Sequence, residues 1–219
     1  MSIADNIASV QSRIDASCAR AGRSRQEVML IAVSKTFAAD AVSAALAEGI
    51  RQLGENRVQE ARDKRPLVSG EAKWHLIGNL QSNKVKDAVR IFDTIQTVDS
   101  ISLGSKIAAA AQAAGRTLDV LIEVNIGREP QKHGAAPGEV EAIVDGLRSL
   151  DALRVRGLMA IPPAGTPEQA RAHFAELRAL KTSLALDQLS MGMSSDFEEA
   201  IEEGSTMVRI GRAIFGSRG

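Results

Sequence analysis

Apolar residues recur every three or four positions at the start of the chain: Ile3, Ile7, Val10, Ile14 and Cys18. That spacing predicts an amphipathic helix over residues 2–21, stopped by Gly22. Cys18 continues the apolar stripe and reads as core rather than as a nucleophile. Beyond Gly22 the pattern changes to short apolar runs. Those at 28–34, 51–54, 73–77, 94–98, 118–125, 154–160, 187–190 and 207–210 predict strands. Helical patterns fill the intervals, near 39–48, 57–67, 82–91, 100–114, 137–150, 167–184 and 196–203. Gly49, Gly115 and Gly204 follow helices, where a left-handed residue is favoured. Asn56, with Gln59 three residues on, is expected to cap the 57–67 helix. Ser195 with Glu198 reads as a capping box for the 196–203 helix.

Strands that alternate with helices pair in parallel through crossover helices. Eight of them close a (β/α)8 barrel. The expected class is therefore α/β, a TIM-type barrel modified by an extra N-terminal helix; an open doubly wound sheet is the alternative. One domain over 1–219 is expected, since no solenoid period repeats and no Pro/Ser-rich linker divides the chain. Residues 162–167 read as a rigid loop between a strand and a helix. In a barrel, the residues at the carboxyl ends of the strands share one face. These are Lys35, Glu55, Asn56, Gly78, Asn79, Asn125 and Met159, joined by glycine-rich turns after the seventh and eighth strands. The loops after strands 7 and 8 are the usual phosphate site of this architecture.

Composition narrows the function classes. An apolar fraction of 44% is enough for a sizeable core. Lys+Arg and Asp+Glu are both 27, so charge offers no reason to expect nucleic acid or a membrane as partner. A single cysteine excludes an internal disulfide and suggests a reducing, cytoplasmic setting. The N-terminus, MSIADNIASVQ, lacks a basic segment followed by an apolar stretch, so a signal peptide is not expected. No apolar run approaches the ~20 residues that span a bilayer. No exposed stripe demands a dimer, so a monomer is expected. No His/Cys/Asp spacing resembles a zinc site, and there is neither a nucleophile elbow nor GxGxxG after a strand.

The remaining chemistry centres on Lys35, which ends the run Met29-Leu30-Ile31-Ala32-Val33-Ser34-Lys35. A lysine amine freed of its proton by burial can form a Schiff base with an aldehyde. The alternative is a surface lysine pointing to solvent. Far along the chain lie Ser190-Met191-Gly192-Met193-Ser194-Ser195-Asp196 and Val208-Arg209-Ile210-Gly211-Arg212. Their glycines let backbone N–H groups approach a phosphate, and serine hydroxyls add donors. Plain turn formation would also account for each. A lysine facing a phosphate cradle is what pyridoxal 5'-phosphate (PLP) needs. Arg209 stands in an otherwise apolar strand, so an inward guanidinium there needs an acceptor, either a PLP ring nitrogen or a carboxylate such as Glu55 or Glu123. His75 reads as a hydrogen-bonded core histidine; His133 and His173 read as loop and helix-surface residues.

These residues assemble into a resemblance covering nearly the whole chain. Ile31-Ala32-Val33-Ser34-Lys35, Gly54-Glu55-Asn56-Arg57-Val58-Gln59-Glu60, Trp74-His75-Leu76-Ile77-Gly78-Asn79-Leu80-Gln81-Ser82-Asn83-Lys84, Gly157-Leu158-Met159 and Leu189-Ser190-Met191-Gly192-Met193-Ser194-Ser195-Asp196 occur in order. The series closes with Gly204-Ser205-Thr206-Met207-Val208-Arg209-Ile210-Gly211-Arg212-Ala213-Ile214-Phe215-Gly216. The chain thereby resembles the YggS/PROSC family of PLP-binding proteins. The resemblance implies a barrel like the N-terminal domain of alanine racemase, with PLP on Lys35. It implies that Ser194 and the backbone of Gly211 and Arg212 hold the phosphate, and that Arg209 lies near the pyridine nitrogen. Asn56, Met159 and Ser190 would line the pocket. Asn79 stands where the family motif commonly has proline. Lys84 and Lys132 are further family-like lysines.

The function implied is intracellular PLP (vitamin B6) homeostasis, as a carrier or regulator without robust catalysis, with PLP-dependent apo-enzymes as candidate recipients. A two-base racemase is not expected: the chain has no tyrosine and continues only eight residues past Gly211. A small racemase or decarboxylase on the same cofactor, and a phosphosugar aldolase using Lys35, are the alternatives.

Overall fold

The structure, a computed structural model, describes residues 2–216; Met1 and residues 217–219, the ends of the expected 1–219 span, lie outside the described residues. Eight strands run β1 (Met29–Val33), β2 (Gln52–Glu55), β3 (Lys73–Leu76), β4 (Thr94–Val98), β5 (Leu118–Glu123), β6 (Leu153–Met159), β7 (Gln188–Ser190) and β8 (Met207–Ile210). Each pairs in parallel with its sequence neighbour, and β8 pairs back onto β1 through Met29↔Met207, Leu30↔Val208, Ile31↔Arg209 and Ala32↔Ile210. The sheet is thus a closed barrel, and the open-sheet alternative fails on that last pairing.

The helices are α1 (Ile3–Arg20), α2 (Ala39–Ala47), α3 (Val58–Lys64), α4 (Val85–Ile91), α5 (Ile101–Ala113), α6 (Val140–Arg148), α7 (Pro167–Ser183), α8 (Phe197–Glu202) and α9 (Arg212–Phe215). Every strand and long helix falls within a few residues of its sequence pattern; the short α9 does not announce itself by periodicity. Gly49, Gly115 and Gly204 adopt the left-handed conformation expected of them.

Strand alternation sorts the side chains into two layers. Ile31, Leu121, Met159 and Met207 form a small cluster inside the barrel. Their neighbours Ala32, Ile122, Leu158 and Val208 join the larger core between strands and helices. Helix α1, capped by reciprocal Ser2–Asp5 bonds, buries Ile7, Val10, Ile14 and Cys18 and packs against α8 and α9. Asn6 Nδ2 donates to the Ile214 carbonyl at 2.9 Å, and Arg13 pairs with Glu198 at 3.0 Å.

Two expected caps do not form. Helix α3 starts at Val58 with Arg57 in the cap position and no side-chain cap bond. Asn56 instead follows β2 directly and lines the cavity at the barrel mouth. Helix α8 starts at Phe197, two residues past Ser195. Asp196 closes the preceding turn by accepting from the Met193 N–H at 2.6 Å, and Glu198 is engaged with Arg13. The turn at 194–195 therefore stays outside the helix. No described helix is long and apolar enough to cross a membrane.

Candidate functional site

At the carboxyl ends of the strands a cavity of about 200 Å³ opens between the β1, β2, β7 and β8 loops. Lys35, Asn56, Ser194, Arg209, Gly211 and Arg212 share its wall with apolar Val33, Ile77 and Ile161. Lys35 is partly buried, not a surface lysine in open solvent. A larger groove, about 520 Å³, lies at the opposite ends of β2 and β3 beside Arg51, Arg65 and Trp74. It contains none of the strand-end residues singled out by sequence.

Close backbone approaches build the cavity. A Cβ on Gly78 would lie 2.3 Å from the Asn56 carbonyl oxygen, so the β3 exit presses directly on the segment carrying Asn56. Gly192 has φ +93°, and a Cβ there would lie 2.5 Å from Ala200 Cβ. Only glycine lets the chain turn there and present Ser194 to the cavity. Gly211 runs beside β1, with its virtual Cβ 3.3 Å from the Val33 carbonyl. The β8 exit and the end of β1, just before Lys35, are thereby held together. The amides at the start of α9 have no intrahelical acceptor, as at any helix start.

Arg209 is buried and touches no carboxylate among the described residues. It donates to the Ser190 carbonyl and hydroxyl, both at 2.7 Å, and to the Ala160 carbonyl at 2.9 Å. Glu55, offered by sequence as a possible partner, lies on the other side of the barrel wall and bonds Lys64. Burial lowers the Arg209 pKa to about 10, against the opposing pull of Asp196 and Glu123. The guanidinium still carries its charge at neutral pH.

Behind Arg209 a chain of hydrogen bonds crosses the barrel interior. Ser190 Oγ donates to Gln96 Oε1 at 2.6 Å, Gln96 Nε2 lies 3.1 Å from His75 Nδ1, and His75 Nε2 lies 2.9 Å from Gln52 Oε1. Burial lowers the His75 pKa to about 4, so the ring is neutral near pH 7. With Gln96 Nε2 donating to Nδ1, the proton sits on Nε2 and points to Gln52. Every bond then runs in one direction, from Arg209 through Ser190, Gln96 and His75 to Gln52. His75 is the hydrogen-bonded core histidine that its sequence context suggested.

Met159 and Ser190 are fully buried. Met159 packs in the interior cluster and Ser190 supports Arg209 from beneath, so neither forms the cavity wall described above. Glu123, at the end of β5, has its pKa raised to about 7 by burial and by the nearby Asp99 charge, with Arg209 opposing. Gln96 and Gln52 went unnoticed in the sequence, and Glu123 was singled out there only as a possible partner of Arg209. Gln96 left a signal, as a long polar side chain within the buried strand Thr94-Ile95-Gln96-Thr97-Val98. Lys84 lies with Arg57 and Gln81 in a neighbouring groove, and Lys132 bonds Glu129 and the Pro162 carbonyl. Asn79 contacts His133 at 2.9 Å.

The donor set fits a flat, anionic aldehyde. The lining brings together the Lys35 amine, the Ser194 and Ser195 hydroxyls, the Arg209 guanidinium and the glycine turn at Gly211, with apolar Val33, Ile77 and Ile161 among them. That is the arrangement PLP requires.

The family model for the N-terminal domain of alanine racemase matches residues 3–219. The pyridoxal phosphate homeostasis protein of Pseudomonas aeruginosa is 44% identical over 221 residues, covering 99% of this chain and 96% of that protein. Its Escherichia coli K12 namesake is 42% identical over 226 residues, covering 99% and 97%. The structure of PipY from Synechococcus elongatus, solved with PLP bound, superposes with a TM-score of 0.87 at 37% identity, covering 98% of this chain and all of that one. Alanine racemase of Clostridium difficile shares the fold, with a TM-score of 0.75 at 17% identity, and this chain spans 56% of its length. By these likenesses the chain belongs to the alanine racemase N-terminal domain family, in its group of pyridoxal phosphate homeostasis proteins.

Proposed function

We propose that this protein binds PLP as a Schiff base on Lys35 and serves intracellular PLP homeostasis as a carrier or regulator without robust catalysis. The observation that carries this reading is that Lys35, Arg209, Ser194, Gly211 and Arg212 line one cavity although Lys35 is far from the others in sequence. Ser194 and those amides would take the phosphate, Arg209 would face the ring nitrogen, and Asn56 would lie beside the ring. Ser190 supports Arg209 and Met159 packs the barrel beneath. When bound, PLP supplies an aldehyde for a lysine amine and a ring able to withdraw electrons. Arg209, with a pKa of about 10 and held by Ser190 and Ala160, would offer the ring nitrogen a hydrogen bond but keep its proton at neutral pH. A ring left unprotonated is a weak electron sink, which suits holding more than turnover. PLP-dependent apo-enzymes are the recipients proposed, with a monomeric, cytoplasmic protein as the working form.

The test is the visible absorption of wild type and Lys35→Ala after PLP is added and the excess removed, before and after borohydride. A band in wild type alone, fixed by reduction to a peptide containing Lys35, is expected. No band in wild type would refute the reading. A band that survives in the variant would move the anchor to another lysine, with Lys84 and Lys132 the next to test.

One observation favours a catalytic reading, a small racemase or decarboxylase. Glu123, titrating near neutrality at the barrel mouth, has a pKa suited to proton transfer. Exchange of amino-acid α-protons in deuterated water, abolished by Glu123→Gln, would support it.

A further inference from the structure

The wall behind Lys35 holds three charged side chains that the cavity itself does not use. Ser34 and Glu55 point away from the barrel interior, into the layer covered by α3. There Lys64 of α3 is only 8% exposed and Glu55 fully buried. Lys64 Nζ donates to Glu55 Oε1 at 2.7 Å, to Glu60 Oε1 at 2.9 Å and to the Ser34 carbonyl at 2.8 Å. Ser34 Oγ also donates to Glu55 Oε1, at 2.7 Å. On the far side of Lys35, the Thr36 N–H donates to Glu60 Oε1 at 2.5 Å. Thr36 is held at φ +69°, a left-handed conformation that a β-branched residue adopts only under constraint.

We infer that Lys64 and Glu60 are positioning residues for Lys35: they clamp the peptide groups on both sides of it and so fix where its amine enters the cavity. This rests on Lys35 being the PLP anchor. Three features favour it over a merely stabilising ion cluster. The bonds to Ser34 and Thr36 flank one residue, and that residue is the cavity lysine. The clamp also stabilises the strained turn at Thr36. Finally, burying such charges is a poor way to gain stability, because well-packed apolar residues of similar size generally do as well or better. A clamp justifies charges that stability alone does not.

The lysine amine must meet an aldehyde carbon whose place is set independently, by the phosphate cradle across the cavity. A displaced strand end would therefore slow bond formation without weakening the cradle. The experiment compares wild type, Lys64→Met, Glu60→Ala and Glu60→Gln. Two quantities are read: the rate at which the visible band grows with PLP, and the Kd of pyridoxine 5'-phosphate, which has the ring and phosphate but no aldehyde. In Lys64→Met and Glu60→Ala the band should grow about ten- to a hundredfold more slowly, the scale expected for small misplacements of reacting groups. The Kd for pyridoxine 5'-phosphate should not change. Glu60→Gln keeps an acceptor for Thr36 and should behave nearly as wild type.

Wild-type rates in both disruptive variants would overturn the inference. So would a parallel loss of band and analogue binding, which would show general damage. Should Lys64→Met fail to fold, Glu60→Ala alone decides, because Glu60 is partly exposed and its loss leaves the Lys64–Glu55 pair intact. Absence of the band in wild type would instead sink the Lys35 anchor, a failure visible before any variant is made.

Discussion

Glu123 shows what burial does to one residue. Its carboxyl has an ordinary pKa of 4.5 and a value of about 7 here. The folded protein thus holds this proton more tightly than the unfolded chain. Its contribution to stability is complete below about 4.5 and is lost as pH rises through 7. Glu123→Gln removes that titration. Thermal unfolding should find the variant more stable than wild type at pH 8, by about 1–3 kcal/mol, with the gap closing toward pH 4.5. An equal gap at both pH values would refute the assignment. His75 works in the opposite direction. Its pKa falls from 6.5 to about 4, so its contribution is complete above 6.5 and is lost as pH falls through 4. His75→Phe should remove the partner of Gln96 Nε2 and of Gln52 Oε1 inside the barrel, costing about 2–5 kcal/mol in denaturant unfolding. Its stability should also fall less steeply than wild type's between pH 6.5 and 4.

Among elements, the connections matter more than the strands. The β7–α8 turn depends on Gly192, where φ is +93° and a side chain would strike Ala200. Gly192→Ala should lower stability by about 1–3 kcal/mol and weaken pyridoxine 5'-phosphate binding, because the turn carries Ser194. Calorimetric unfolding and fluorescence titration would check both effects; unchanged ligand binding would separate the turn from the site. The same turn shows where local reading stops. Asn56 and Ser195 have the composition of helix caps, yet each lies two residues before the first residue of its helix, one short of the cap position. A capping preference is worth about 1 kcal/mol, and tertiary placement at the barrel mouth outweighs it. The helix α1, by contrast, is legible from its apolar stripe. Ile14, fully buried in it, should cost about 2–5 kcal/mol on truncation to Ala.

For the whole molecule, closure through β8 and β1 joins the two ends of the strand series. No strand can leave without breaking two ladders, so we expect one cooperative unfolding transition. Trp74, the single tryptophan, is 3% exposed on β3 and reports from a place distant in sequence from the closing pair. Denaturation followed by its fluorescence and by far-ultraviolet circular dichroism should give coincident curves. Separate midpoints would show that the barrel comes apart in pieces. Closure also sets the end of the first strand, two residues before Lys35, beside Gly211 after the last.

The order of helices and strands, the barrel class and the strand-end candidates were all determined by the sequence. They rest on local periodicity and on glycine chemistry, which each segment carries within itself. Lys35, Arg209 and the two glycine-rich turns stood out because each breaks an apolar pattern or permits a turn. What only the tertiary structure decided is which side of the wall each polar group faces and which group it meets. Gln96 meets His75 and Ser190 because three separate strands point inward at one level. Lys64 reaches Ser34 because α3 folds back over β1 and β2. Met159 and Ser190, placed in the pocket wall by resemblance, lie a layer deeper because the alternation of β6 and β7 buries them at that height. Such pairings depend on barrel register and helix placement, which are properties of the closed assembly and not of any stretch of chain.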